Sequence, residues 1–291
     1  MSYVMYNESI IPKEEAAISF EDRGYYFGDG IYEVIRVYNG KLFLQEGHLE
    51  RFQDSASKLD LVVPYSPDTM KSLLRRLIDK NELTTGYIYF QLTRGVQARD
   101  HLYERGTAPV LTGFTKTAGV PFAKQTDGID VYATDDIRWL RCDIKTINLL
   151  GNVLAKRAAE DHHCAEALQH RGDVITEGSS TNAFIVKNET IITHPQSNYI
   201  LEGITKRYVL QLAKQLNIPV EQRPFTIKEA QEADEMFMTS TSIEIVPVRS
   251  VQGSFEAEYG NSPVTRELLG EFRREVELFE AGDTQPLVTY N

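Results

Sequence analysis

The chain is poor in cysteine: Cys142 and Cys164 are the only two in 291 residues. That excludes a disulfide-stapled scaffold and leaves no closely spaced cysteine pair of the zinc-binding kind. A reducing, cytoplasmic setting is the default expectation. Long apolar runs are also missing, since no window approaches the roughly 20 residues a membrane helix needs. Glu8, Lys13, Glu14 and Glu15 interrupt the start before any signal-type segment develops. Positive charge is in deficit, with 31 Lys and Arg against 42 Asp and Glu and a formal charge of −11. This balance argues against a protein that works by neutralising nucleic-acid phosphates or anionic lipids. The six histidines show no helical metal spacing, His162 and His163 being adjacent, and no metal site is expected. Gly28-Asp29-Gly30 lacks the third glycine of a dinucleotide loop. No glycine-rich loop ends in Lys-Ser or Lys-Thr, and no Gly-x-Ser-x-Gly elbow occurs.

What is present is enough apolar material, 42% of residues, to bury a large core. Residues Tyr32 to Tyr38 and Lys41 to Leu44 flank Asn39-Gly40, a pair that accepts positive φ and so marks a hairpin. Helical spacing follows around Leu49, Phe52, Ala56 and Leu59, and again at Met70, Leu73, Leu74, Leu77 and Ile78, where Ser66-Pro67 supplies a cap and a first-turn proline. Tyr87 to Arg94 and Pro109 to Thr115 read as strands. The pattern lapses at 118–124, a linker between an N-terminal domain over 1–117 and a larger C-terminal domain over 125–291. In the second domain, strands are expected at Ile129 to Thr134, Ala165 to Gln169, Thr181 to Val186, Thr190 to Thr193, Met236 to Thr239 and Ile245 to Val248. Helices are expected at about Leu149 to His162, Ile204 to Asn217 and Pro263 to Phe279. Strands and helices mix without strict alternation, which predicts an α+β fold of two domains with a ligand between them.

Three segments concentrate small and polar residues: Thr176-Glu177-Gly178-Ser179-Ser180-Thr181-Asn182, Leu201-Glu202-Gly203-Ile204-Thr205, and Thr239-Ser240-Thr241-Ser242. Each offers backbone N–H groups and hydroxyls. Gly203-Ile204-Thr205 also opens a predicted helix, whose first amides present partial positive charge to an anion. Together the three suggest a phosphate cradle.

Cys142-Asp143-Ile144-Lys145 followed by Asn148-Leu149-Leu150, then Thr176 to Ser180 with Asn182, then Leu201 to Thr205 with Arg207, resemble the fold type IV pyridoxal-phosphate enzymes in order and approximate spacing. Asp29-Gly30-Ile31-Tyr32-Glu33 and Arg51 after His48 fit the same family, and the likeness covers nearly the whole chain. It is closest to the D-amino-acid transaminase branch. The resemblance implies pyridoxal 5'-phosphate as cofactor, held between the domains, with Lys145 as its Schiff-base lysine and proton shuttle. It implies Glu177 at the pyridine nitrogen, Leu201 against the ring, and Ser179 and Ser180 around ring and phosphate. The phosphate would be held by Arg51, the Ile204 and Thr205 amides after Gly203, and the Ser240 and Thr241 turn.

Arg99-Asp100-His101 resembles the Arg-x-His pair that grips the substrate α-carboxylate in the D-specific branch, and Tyr32 would complete that grip. In the family this loop reaches the neighbouring subunit's site, which implies a homodimer. Two residues depart from the pattern. Asp100 stands where it could pair with Arg99, and Thr181 stands where a third serine is common. The expected reaction moves the amino group of D-alanine or another D-amino acid to 2-oxoglutarate. Rival expectations are a branched-chain L-transaminase or aminodeoxychorismate lyase of the same fold, or a non-catalytic phosphate-ligand binding protein.

Overall fold

The computed structural model describes residues 2–282, 284 and 286–288. The chain divides into two compact units, one built from Met1–Gly119, Ile144–Asn148 and Phe279–Asn291, the other from Val120–Asp143 and Leu149–Leu278. The first change of unit falls inside the segment read as a linker. The five residues of Ile144–Asn148, Lys145 among them, then return to the first unit.

The first unit contains β1 Tyr3–Tyr6, β2 Ser9–Pro12, α1 Arg23–Phe27, β3 Gly30–Tyr38, β4 Lys41–Leu42, α2 Gln45–Lys58, α3 Pro67–Lys80, β5 Gly86–Thr93 and β6 Val110–Thr117. Its six-stranded sheet has the order β2-β1-β6-β5-β3-β4, antiparallel throughout. Asn39 and Gly40 turn β3 into β4 with φ of 46° and 70°, as an Asn-Gly hairpin requires. The strand expected to reach Leu44 stops at Leu42, because Leu44 adopts a left-handed φ of 55° and begins α2. Ser66 caps α3 by accepting from the Thr69 amide at 3.1 Å, with Pro67 in the first turn. The helical stripe Met70, Leu73, Leu74, Leu77 and Ile78 is buried in one core with Ile31, Ile35 and Val37 of β3.

Strand alternation puts Glu33 on the same face as Ile31, Ile35 and Val37, so the sheet carries a carboxylate into its core, 0% exposed. A buried carboxylate needs cationic partners. Helix α2 supplies one cation, Arg51, and a further hydrogen-bond donor, His48.

The second unit contains α4 Phe122–Asp127, β7 Ile129–Asp135, α5 Leu150–Asp161, β8 Glu166–Arg171, β9 Val174–Gly178, β10 Asn182–Lys187, β11 Thr190–Thr193, α6 Ile204–Gln215, β12 Val220–Gln222, α7 Ile227–Gln231, β13 Glu235–Ser240, β14 Glu244–Gly253 and β15 Ala257–Glu258, and most of α8 Pro263–Ala281. Its nine strands follow β12-β11-β10-β13-β14-β7-β8-β9, with β15 beside β14. The β14–β7, β7–β8 and β11–β12 pairs are parallel and the rest antiparallel, a mixed sheet of the α+β class. Ile129, Val131, Leu168, Ile185, Met238 and Val246 centre its core.

Two readings change here. A helix, α4, occupies residues expected to be linker or domain edge. Val174–Gly178, where no strand is expected, forms β9 and puts Glu177 on regular backbone at a sheet edge. Among the described residues no helix is long and apolar enough to cross a membrane, and no His, Cys, Asp or Glu cluster could hold a metal ion.

Candidate active site

In the first unit, His48, Arg51 and Ser55 recur along one side of α2 and all three are buried. Arg51 donates from Nε to Oε1 of Glu33 at 2.7 Å and from Nη2 to Oε2 at 2.9 Å, and His48 Nδ1 lies 2.7 Å from Oε2. Burial alone would raise the Glu33 carboxyl, but the Arg51 and His48 partners hold it down to about 2. Burial also depresses His48, so its ring stays neutral and Nδ1–H donates to Glu33. Arg51 is therefore a core residue with its fork oriented by Glu33.

Ser55 accepts from the Lys145 amide at 3.2 Å. Tyr32 N donates to the Lys145 carbonyl at 2.9 Å, and Ile31 bridges to Thr146, which stitches 144–148 onto the start of β3. These bonds place the Lys145 Nζ 4.2 Å from the Tyr32 ring centroid. Tyr32 stacks on Tyr89 at 5.5 Å, and burial lifts the Tyr89 phenol to about 12.

Arg99 and His101 are exposed on the loop after β5. Both lie against Phe27, the Arg99 guanidinium 5.3 Å and the His101 ring 5.7 Å from its centroid. Among the described residues, no hydrogen bond, ion pair or ring contact joins either to Tyr32 or Lys145. Asp100, placed where it could pair with Arg99, does not do so: its Oδ1 accepts from the Leu102 amide at 2.9 Å and closes a local turn.

In the second unit, Glu177 is buried and held by three donors. Oε1 accepts from Arg138 Nη1 at 2.6 Å, Oε2 from Asn182 Nδ2 at 3.0 Å, and the Leu201 amide approaches both oxygens at 3.0 and 3.1 Å. Burial pushes its pKa above the usual carboxylate value, with Arg138 opposing. Asp136 and the Tyr199 carbonyl hold Arg138 in turn.

The Ser179 and Ser180 hydroxyls both donate to Glu166, Ser180 at 2.8 Å to Oε2. A hydroxyl has one proton, so in this arrangement neither donates to a phosphate. Gly203 begins α6 without a side-chain cap, leaving the amides of its first turn to an incoming anion. Glu202 just before it pairs with buried Lys206 at 3.0 Å, and Lys206 also donates to the His194 carbonyl at 2.8 Å. Ser240 Oγ accepts from the Ile243 amide at 3.3 Å and braces the 241–243 turn, while the Thr241 hydroxyl enters none of the described hydrogen bonds.

The amino-transferase class IV family model matches residues 30–251. A D-alanine aminotransferase of Staphylococcus aureus is 44% identical over 278 residues, 95% of this chain and 99% of its own. One of Listeria innocua is 41% identical over 94% of this chain and 96% of its own. The chain belongs to the class IV aminotransferases.

Among solved structures, a branched-chain aminotransferase of Escherichia coli superposes with a TM-score of 0.85 at 28% identity, covering 97% of this chain and 95% of that one. A 4-amino-4-deoxychorismate lyase of Pseudomonas aeruginosa shares the fold, with a TM-score of 0.80 at 23% identity over 94% and 98% of the two chains. This class IV aminotransferase thus has the fold type IV architecture, and its cofactor is pyridoxal 5'-phosphate. The residues present fit that group: an uncapped helix N-terminus for a phosphate, a buried carboxylate for a pyridine nitrogen, and a lysine in a fixed backbone setting.

Sequence reading missed the residues that hold these groups. Arg138, Glu166, Ser55 and Arg23 read locally as surface charges or an ordinary serine, and only the long-range pairing reveals them.

Proposed function

We propose that the chain is a D-amino-acid transaminase that passes the amino group of D-alanine, or another D-amino acid, to 2-oxoglutarate in two half-reactions, giving pyruvate or another 2-oxo acid and D-glutamate. The Staphylococcus aureus relative, a D-alanine aminotransferase 44% identical over nearly the full length, supports the reaction. The observation that carries the stereochemistry is the Arg99-Asp100-His101 loop. Its guanidinium is not consumed by Asp100 and remains exposed for a carboxylate.

When bound, pyridoxal phosphate supplies an electron-accepting ring and the carbon that carries the amino group. Lys145 would take the proton from the substrate Cα at Nζ and pass it to the carbon that receives the amino group, and would run the same shuttle in reverse in the second half-reaction. Glu177, as the buried anion beside Arg138, would keep a proton on the pyridine nitrogen. The phosphate would be held by the Ile204 and Thr205 amides beyond Gly203, by the Thr241 hydroxyl beside Ser240, and by Arg51, whose fork Glu33 orients. Leu201 would cover the ring. Ser179 and Ser180 would act through Glu166, as supports for the turn. Tyr32 would join Arg99 and His101 on the substrate carboxylate.

The loop pair would serve a neighbouring copy, in a homodimer. Leu150, Val153 and Leu154 on α5, with Ile137, Trp139 and Leu140, leave an apolar surface exposed in the second unit that suits such an interface. The two free, buried thiols of Cys142 and Cys164 suit a cytoplasmic protein.

Titrating the holoenzyme with D-alanine and separately with L-alanine, then 2-oxoglutarate, tests the reading. Loss of the cofactor's visible band with D-alanine alone, and its return with 2-oxoglutarate, is the expected result. The same cycle with L-leucine or L-alanine instead would overturn the roles given to Tyr32, Arg99 and His101.

A further inference from the structure

The loop that carries Arg99 and His101 is braced within itself, Gln97 bonding to Glu104 and Thr107 and Asp100 to the Leu102 amide, and the Asp100 and His101 backbone is held from outside by a residue far away in sequence. Arg23, at the start of α1, is 3% exposed. Its Nη1 donates to the Asp100 carbonyl at 2.6 Å, and its Nη2 reaches the His101 carbonyl at 3.4 Å. Its backbone amide donates to the Gly95 carbonyl at 3.0 Å, at the root of the same loop. Nε is fixed by Asp29 at 2.9 Å, and Asp29 also accepts from Arg94 at 2.8 Å, itself tied to the Leu59 and Asp60 carbonyls. The Arg23 guanidinium lies 4.7 Å from the Phe27 centroid, on the ring that also meets Arg99 and His101.

A buried, fixed guanidinium that spends two donors on the carbonyls of consecutive loop residues sets the backbone from which the neighbouring side chains project. The short turn holding it is itself well anchored. Asp22 caps α1 by accepting from Gly24 N at 2.7 Å and takes the Thr93 hydroxyl at 2.8 Å. Gly28 ends it with φ of 64°, where a Cβ would stand 3.0 Å from Asn148 Cβ. The loop's anchor is therefore continuous with the frame of β5 and of the 144–148 segment.

We propose that Arg23 is a positioning residue for substrate binding: by holding the Asp100 and His101 carbonyls and the Phe27 ring, it sets where Arg99 and His101 present themselves to the α-carboxylate. The inference rests on the reading that Arg99 and His101 grip that carboxylate. Arg23 touches no reacting atom, so its loss acts on binding and leaves the proton transfers at Lys145 alone. Losing donors to two carbonyls weakens carboxylate binding about tenfold or more.

The test compares Arg23→Met, Arg23→Lys and Phe27→Leu with Arg99→Met in the holoenzyme. Arg23→Met should raise KM for D-alanine, and the inhibition constant of the unreactive carboxylate propionate, about tenfold while kcat stays within about threefold. Arg23→Lys, which keeps a donor, should recover part of the loss. Combined with Arg99→Met it should add little, because both changes act on one grip. The cofactor dissociation constant should stay near that of the parent, while the unfolding midpoint of Arg23→Met should drop, because Asp29 loses one of its two cationic partners. If Arg23→Met folds poorly, Phe27→Leu keeps the apolar volume and should raise the same two constants without moving kcat. Unchanged KM and propionate binding in the Arg23 and Phe27 variants, with Arg99→Met impaired, would overturn the positioning role alone. An Arg99→Met enzyme with normal KM would overturn the carboxylate reading and the positioning role with it.

Discussion

Arg138 reaches Glu177 from an unrelated stretch of chain, Nη1 to Oε1 at 2.6 Å, with both side chains 6% exposed. The pair decides the charge of the carboxylate assigned to the pyridine nitrogen. Burial favours the protonated acid, and Arg138 is the cation that resists it. Arg138→Met leaves Glu177 buried with only Asn182 and the Leu201 amide, and strips Asp136 of a partner too. Breaking such a pair costs about 3–5 kcal/mol of stability. Denaturant unfolding should show it, together with weaker cofactor retention. An unchanged midpoint would remove Arg138 from any supporting role.

The Glu33, His48 and Arg51 cluster predicts acid sensitivity of a definite sign. His48 lies below its usual 6.5 in the folded chain, so on acidification the unfolded chain takes its proton first. Glu33 has a folded value of about 2 against an ordinary 4.5, so its contribution is complete above 4.5 and is lost as pH falls towards 2. Both terms make stability fall as pH falls. Glu177, shifted upward, works in the opposite sense, which is why the comparison needs variants. Unfolding free energies of Glu33→Gln and the parent, measured from pH 7 down to 3, should converge as pH drops. Parallel curves would mean that Glu33 is not held ionised.

The sequence carried the elements whose signals are local. Asn39-Gly40, Ser66-Pro67 and the apolar stripes of α3 and α6 announce a turn, a cap and two helices through backbone chemistry that needs no tertiary partner. The motif around Lys145 was legible only as a resemblance, because a single lysine in a mixed segment has no periodicity to read. What stayed hidden were pairings across long separations, such as Arg138 with Glu177, Ser179 and Ser180 with Glu166, and Arg23 with the Asp100 carbonyl. Each is a charge or hydroxyl whose nearest sequence neighbours give no hint of burial. Glu33 shows the limit best: alternation assigns it to the core face, where propensity alone would never put an acid, and His48 and Arg51 on the next helix resolve the conflict.

Glu202 and Lys206 predict a coupled loss. Burial lowers the Lys206 pKa and the Glu202 carboxylate restrains that shift, at 3.0 Å, with Arg207 Nε 3.4 Å from the other carboxylate oxygen. Lys206→Met should destabilise by about 3 kcal/mol, since it leaves a buried carboxylate short of a partner. The double variant Lys206→Met, Glu202→Gln should lose at least about 1 kcal/mol less than the sum of the single changes. Denaturant curves of the four proteins measure this, and strict additivity would show that the two residues are independent.

Two glycines give opposite expectations for the same change. At Gly203 an added Cβ would fall 2.0 Å from Asn182 Oδ1, whose amide is committed to Glu177 and the Leu201 carbonyl. Asn182 is buried and cannot swing away without abandoning both, so Gly203→Ala should cost about 1–3 kcal/mol. The same displacement should loosen the first turn of α6, and with it the affinity of the apoprotein for inorganic phosphate and for the cofactor. At Gly270, inside α8, a Cβ would meet nothing within 4 Å. There Gly270→Ala should stabilise by about 0.5–1 kcal/mol, through the conformational freedom that glycine loses in a helix. Thermal or denaturant unfolding of the two variants reads both signs at once. A Gly203→Ala protein as stable as its parent, with unchanged phosphate affinity, would show that Asn182 does not brace the helix start.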